Sequence, residues 1–365
     1  MSRTKPDRLF FFLVLGLSLL GFFVFSSASL GLLSREGATV GTVALKQFLI
    51  LLVSWLVFLI VSTIDYRLWR KYSLILFVAS VVATLLVFVP GLGFASGGAR
   101  RWILLGSLTI QPSEFLKLGY VLFLAAWLAK NKNDLSRPRQ GLFPFLIMLG
   151  IIGVVMALQP DIDTLVIMFS AGLAMFFVAG ARWRDLFILC LLVVVGIAGV
   201  ATYKPYIVAR VKTFINPDAN ILGSSYQINQ SLIAIGSGGV FGRGFGQSIQ
   251  KFKYLPEPIG DSIFSVASEE FGFVGATTIL AAFLLFALAG FRIATRAPNQ
   301  FGRLVTVGIV IMIMTGTFIN IASMLGVIPL TGTPLLFVSH GGTALLFALL
   351  EAGIIVSISR HTRQS

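Results

Sequence analysis

The stretch LFFFLVLGLSLLGFFVFSSASLGL, residues 9–32, carries no charged side chain. It is long enough to cross the roughly 30 Å of hydrocarbon in a bilayer as a helix. Working outward from it, nine more apolar runs follow, at approximately 45–64, 73–93, 112–129, 142–159, 163–180, 184–203, 265–291, 303–328 and 334–358. The first run follows a basic N-terminus but is too long for the apolar core of a signal peptide. The pattern predicts an all-α membrane protein: a polytopic bundle of about ten transmembrane helices. A long extracytoplasmic segment, about 204–264, joins helices 7 and 8. No soluble domain and no strong internal repeat is visible, so residues 1–365 read as a single transmembrane domain.

Composition agrees. Apolar residues make up 57% of the chain and charged residues 12%, too few charges to cover a soluble protein of this length. The net charge of +14 does not indicate nucleic acid, because most Lys and Arg fall in short loops between apolar runs. Arg3, Lys5 and Arg8, then Arg67, Arg70 and Lys71, then Lys130, Lys132, Arg137 and Arg139 occupy alternate connections. So do Arg182 and Arg184, then Arg292, Arg296 and Arg303, and finally Arg360 and Arg363. All share one side if both termini are cytoplasmic. The lone Cys190 lies in an apolar run and excludes a disulfide framework. With only His340 and His361, a histidine-based metal site cannot be built from this chain.

Two segments place positive charge on the opposite side. One is Gly97-Gly98-Ala99-Arg100-Arg101-Trp102; the other is 204–264, with Lys204, Arg210, Lys212, Arg243, Lys251 and Lys253. Such cations suit either anionic lipid headgroups or a bound phosphate or pyrophosphate. Within the long segment, Tyr206 to Lys212 and Tyr226 to Ile235 mix apolar and polar residues as interfacial helices do. Glycine recurs between Gly236 and Ser248 without the pattern of a Walker loop or a dinucleotide fingerprint.

Ionisable groups at membrane depth are costly and ask for a reason. Glu114 and Lys117 are three apart on one helix face, where they neutralise each other as a structural ion pair or as part of a site. Asp161 and Asp163 stand in a turn that solvent would tolerate. Asp261 precedes the eighth span, where it serves either as a helix cap or as a general base beside the misplaced cations. Glu269, Glu270 and Glu351 are expected to face the bundle interior.

At these residues the chain resembles the SEDS membrane proteins (FtsW, RodA and SpoVE), which polymerise peptidoglycan. The matching stretches, in family order, are GARRWI (98–103), QPSEFLK (111–117), QPD (159–161), SYQINQSLIAIGSGG (225–239), GFGQSIQKFKYLPE (244–257), DSIF (261–264), EEFG (269–272) and PLTGTPLLFVSHGG (329–342). The 225–239 and 244–257 stretches resemble the division branch, FtsW, more than the elongation branch, RodA.

The resemblance implies a glycosyltransferase that polymerises lipid II into β-1,4 glycan with inversion, releasing undecaprenyl pyrophosphate. Asp261 occupies the catalytic aspartate position. Arg100, Arg101 and Lys117, with Arg210 and Lys212 behind them, are the implied pyrophosphate contacts, and Glu114 positions Lys117. Trp102 is expected beside an apolar groove for lipid tails; Asp161, Ser339 and His340 complete the implied substrate-binding set. No cofactor is required; a divalent cation (Mg or Mn) could bridge Asp261 and pyrophosphate, although the acidic ligands are too few for a dedicated cage.

The implied partners are lipid II, the nascent glycan strand, a class B penicillin-binding protein transpeptidase, divisome or elongasome proteins and membrane lipids. The implied location is the bacterial cytoplasmic (inner) membrane. Three positions depart from the usual motifs: Gly260 precedes the aspartate, Asp163 replaces a glycine, and His340 replaces a tyrosine. A different class of function, a lipid II flippase, would also place charges inside a helix bundle.

Overall fold

The structure, a computed structural model, describes residues 5–34, 40–96, 99–106, 108–135, 137–203, 205–216, 223 and 225–361. Arg3, Gly97, Gly98, Lys204 and Arg363 lie outside the described residues.

The ten apolar runs become helix, because in hydrocarbon the backbone N–H and C=O groups must bond within their own segment. The chain forms α1 (Arg8–Ser29), α2 (Val40–Thr63), α3 (Tyr66–Leu85), α4 (Pro112–Lys130), α5 (Leu142–Leu158), α6 (Ile162–Val178) and α7 (Trp183–Tyr203). It continues through α8 (Pro205–Ile215), α9 (Tyr226–Ser237), α10 (Gln250–Lys253), α11 (Ile263–Thr295), α12 (Gln300–Met324) and α13 (Gly342–Ser359). Among the described residues eight helices are long and apolar enough to span a membrane: α1 to α4, α7, α11, α12 and α13. Helices α5 and α6 are apolar but have 17 residues each. At about 1.5 Å per residue each reaches roughly 25 Å, short of the roughly 30 Å of a bilayer's hydrocarbon.

Each of the ten expected apolar runs falls on a helix, eight of them long enough to span, with three differences from the expected bounds. The third helix starts at Tyr66 and ends at Leu85, because Pro90, Gly91 and Gly93 stop it before the expected 93. The tenth starts at Gly342; residues 334–341 fold as turns. The stretch around Arg100 is not a loop but a strand of a small antiparallel sheet, β1 (Gly93–Ser96), β2 (Ala99–Leu105) and β3 (Leu108–Ile110), in that order. The pairs Phe94 with Trp102 and Ile103 with Ile110 set its register. Arg100-Arg101-Trp102-Ile103 does not alternate polar and apolar residues, so no period-2 signal marks the strand in the sequence.

Helix α12 is buried along most of its length and forms the centre of one continuous hydrophobic cluster. The two ends of the described chain meet: the Asp7 N–H donates to Ser359 Oγ at 3.1 Å, and the Asp7 carboxylate pairs with Arg292 at 2.7 Å. Both ends therefore lie on one side of the bundle, as the loop charges require.

Helix α11 is broken at Gly272, whose φ of 65° and ψ of −161° leave the helix. The freed backbone groups are taken up by the glycine-rich loop after α9. Phe273 N–H donates to Gly239 O at 2.9 Å and Val274 N–H to Val240 O at 3.1 Å. In return, Arg243 N–H bonds Glu269 O at 3.0 Å and Gly244 N–H bonds Glu270 O at 2.9 Å. The backbones approach so closely that a Cβ on Gly272 would lie 2.3 Å from Gly242 N. The repeated glycines thus serve backbone-to-backbone packing.

Glu269 and Glu270 anchor the same loop. Glu269 accepts from Ile249 N–H at 3.0 Å and sits 3.5 Å from Arg243 Nε; Glu270 accepts from the wholly buried Lys251 at 2.6 Å and from Ser27 Oγ. These pairs fix the upper half of α11 and, with it, the turn that carries Asp261.

Candidate active site

A polar cavity of about 440 Å³ opens among the outer ends of α4, α6, α11 and α12 and the 332–341 segment. Its wall carries Arg101, Trp102, Glu114, Lys117, Asp161, Asp163, Glu257, Asp261 and His340.

Each arrives by a separate route. Pro112 opens α4, and the helix carries Glu114 and Lys117 inward as a 2.7 Å ion pair, both 6% exposed. Glu351 of α13 lies near enough to act on Lys117 electrostatically. An ion pair at this depth gains little over apolar packing, yet losing one partner leaves a buried charge.

Strand β2 delivers Arg101. Its guanidinium donates to the carbonyls of Gln159 (3.3 Å) and Pro160 and stands 3.8 Å from Asp161. Asp161 is therefore not in a solvated turn: it is 3% exposed and caps α6 through the Thr164 N–H at 3.3 Å. Gln159 Nε2 ties the same turn to Thr84 O at 2.7 Å. The departure at Asp163 also has a partner, Arg210 of α8, at 3.5 Å.

Asp261 sits in the turn 257–262 ahead of α11. The turn closes on the Glu257 carbonyl, which accepts from Gly260 N–H (3.0 Å) and Ser262 N–H (3.2 Å). Its backbone is then pinned from three sides. Asn320 Nδ2 donates to Asp261 O at 2.8 Å, Ser339 Oγ to Gly260 O at 2.9 Å, and His340 N–H to Ile259 O at 2.7 Å. The helix cap is Ser262, without a side-chain capping bond, and no described residue donates a hydrogen bond to the Asp261 carboxylate. The capping alternative for Asp261 is thus excluded. Burial, then the neighbouring charges of Glu257 and Asp163, push its carboxyl up to about 6, against the opposing pull of Arg210 and Arg101. A carboxylate with that affinity for protons, facing a cavity and without a hydrogen-bond donor among the described residues, is suited to general-base work.

His340 lies where the cavity meets a second space. A groove of about 630 Å³ between α2, α3, α4 and α13 is lined mainly by apolar side chains such as Leu49, Ile50, Val53, Leu346 and Phe347. His340 borders both spaces, and Lys46 lies on the groove. The imidazole stacks on Phe25 at 5.7 Å; partial desolvation of its ring, and then the charge of Lys46, hold it below the usual histidine value although the residue is open to the cavity.

The expected site residues divide accordingly. Arg101, Trp102, Glu114, Lys117, Asp161, Asp261 and His340 line one cavity, and Arg210 borders an adjoining smaller one through Asp163. Arg100 and Lys212 are both exposed and line neither space, since strand alternation turns Arg100 away from Arg101 and Lys212 lies on the outer face of α8. Ser339 is buried and supports the turn through its hydroxyl; it does not face the cavity. Glu257 was missed as a site residue, though the stretch GFGQSIQKFKYLPE ends on it. Among the described residues no three acidic, His or Cys side chains converge as metal ligands.

Comparison with known proteins is consistent across the whole chain. It is 38% identical to the stage V sporulation protein E of Bacillus subtilis over 362 residues, covering 99% of each. It is 34% identical to a probable peptidoglycan glycosyltransferase FtsW of Geobacter sp. (strain M18), covering 87% of each. Its fold matches that of a chain in a peptidoglycan synthase complex with a TM-score of 0.80 at 26% identity, covering 99% of each. The rod shape determining protein RodA of Thermus thermophilus superposes with a TM-score of 0.71 at 26% identity, over 99% of this chain and 98% of that one. The family profile described as Cell cycle protein (FTSW_RODA_SPOVE) matches residues 7–364, and this multi-pass membrane protein belongs to that family.

Proposed function

We propose that the polar cavity is the polymerising centre of a peptidoglycan glycosyltransferase acting on lipid II, in cell division or elongation. The observation that carries this is Asp261: a carboxylate of raised proton affinity in the same cavity as Arg101 and the Lys117–Glu114 pair. In the reaction, Asp261 takes the proton of the acceptor GlcNAc 4-hydroxyl as its oxygen attacks the donor's anomeric carbon. The bond to the undecaprenyl pyrophosphate breaks, and the pyrophosphate leaves with the electron pair. An α-linked donor becomes a β-1,4 product, which needs a base and no covalent sugar–enzyme intermediate. Arg101 and Lys117 stabilise the charge that develops on the leaving group, and Arg210 can join them on parting from Asp163.

The apolar groove meets the cavity at His340, so a polyprenyl chain in the groove brings its phosphates to the cavity mouth. The scattered carboxylates do not form a dedicated cation cage; a divalent ion at the pyrophosphate would draw most ligands from the phosphates and water. Lipid II and the nascent strand as substrates, a class B penicillin-binding protein and other divisome or elongasome proteins as partners, and the bacterial cytoplasmic membrane with both termini inside complete the reading. Kinship with a chain of a peptidoglycan synthase complex supports the partner.

The test is lipid II polymerisation by the purified protein with its transpeptidase partner, wild type against Asp261→Ala. Glycan strands from wild type and none from a folded variant are expected. Normal polymerisation by the variant would overturn the role of Asp261. Protein-dependent passage of lipid II across liposomes without any glycan would turn the reading to transport.

A further inference from the structure

The cavity contains a carboxylate that the reaction above does not use. Glu257 lies four residues before Asp261, on the same turn and on the same cavity wall. Its backbone is held at a φ of 44°, in the left-handed region a glutamate rarely adopts, and it stands between Pro256 and Pro258. A non-glycine residue keeps such a conformation where its surroundings impose it, as here, where its carbonyl accepts from both Gly260 and Ser262. The residue is exposed at the mouth of the cavity, but its carboxylate does not point straight out. It folds back so that a Cβ on Gly260 would lie 3.5 Å from Glu257 Oε2. The Asp261 carboxylate faces the 332–341 segment, its Oδ2 3.5 Å from the Cβ position of Gly332. Gly260, which departs from the usual motif, has no side chain to meet the folded-back Glu257 carboxylate.

We propose that Glu257 is a positioning residue for the base: the turn 257–262 holds its negative charge against Asp261, and that charge strengthens Asp261 as acceptor of the sugar hydroxyl proton. The inference rests on Asp261 being the base. The charges facing Asp261 come from every surrounding element. Glu257 on its own turn and Asp163 of α6 raise its proton affinity, while Arg210 of α8 and Arg101 of β2 lower it. Asp161, the Glu114–Lys117 pair and His340 line the same cavity. Of the charged neighbours, Glu257 exerts the largest effect.

The experiment compares Glu257→Asp with Glu257→Asn in the full chain with its transpeptidase partner, following lipid II polymerisation from about pH 4.5 to 8.5. Asp and Asn have one shape, and both tolerate positive φ better than Glu, so the pair differs in charge alone. The acid limb of kcat/KM in Glu257→Asp should stay near that of wild type. In Glu257→Asn it should move down by roughly 0.5 pH unit or more, with a lower plateau from the weaker base. Acid limbs that coincide in the two variants would overturn the inference. Should Glu257→Asn lose its thermal transition, Glu257→Gln serves as the neutral variant against wild type, with the same two outcomes. Asp261→Asn, run alongside, separates the failures. If that variant polymerises, the base has been misassigned; if it is inactive while the Glu257 limbs coincide, only the present inference falls.

Discussion

At Asp261 the chemistry depends on where the carboxyl titrates. It must be ionised to accept a proton, and burial with two like charges holds it at about 6. Polymerisation should therefore fall as pH drops through about 6 and level off above it, which a kcat/KM profile in wild type will show. Asp261→Asn should lower kcat by about 10²–10⁴-fold while leaving lipid II binding and thermal stability close to wild type, the measure of a lost general base. Lys117 behaves differently because it is buried against Glu114. Lys117→Ala should lose activity and also destabilise the bundle by about 3–5 kcal/mol, since Glu114 is left charged and alone. A thermal shift read beside the activity tells these contributions apart. Arg101 has a double duty, holding the 159–161 turn and facing the cavity, so its fork geometry matters as well as its charge.

At the scale of elements, the half-helix above Gly272 is held by its loop and not by its own hydrogen bonds. Gly272→Ala would bring a Cβ within 2.5 Å of Val240 O at a φ of 65°. It should lower the melting temperature by several degrees, as for a loss of at least about 1–2 kcal/mol. Activity should fall too, because the turn of Asp261 rests on that half-helix. The Glu269–Glu270 pair was legible in the sequence as inward-facing, and it is; that its partners are Arg243, Ser248, Lys251 and Ser27 was not. Those partners are separated from it by many residues, and only packing of the loop against α1 and α11 brings them together. The β2 strand was likewise hidden. In a chain dominated by apolar runs, three short strands carry too little period-2 signal to compete with helix spacing.

At the scale of the whole molecule, a polar cavity and an apolar groove meet at one histidine. Val53→Trp, on the groove wall, should raise KM several-fold for lipid II with its native polyprenyl chain. A short-chain analogue should be affected little, and that contrast is the measurement. The number of spans, their order and the common side of the two chain ends follow from apolar run length and loop charge, which are local quantities that a bilayer reads segment by segment. For the same reason Glu114, Lys117 and Asp261 stood out in the sequence: each is a charge whose local setting makes it expensive. The remaining features depend on tertiary packing. Arg100 and Lys212 carry the same charge as Arg101 and Arg210, and only strand alternation and helix orientation decide which of them face the cavity. Asp161 reads as a solvated turn residue until β2 and α4 cover it. Glu257 reads as one more loop carboxylate until its turn folds it back over Gly260 onto the cavity that Asp261 also lines. Charge, hydropathy and spacing belong to residues and segments, so the sequence by itself determined the bundle and its charged positions. Proximity between distant segments belongs to the packed chain, and that alone decided which of those charges share a site.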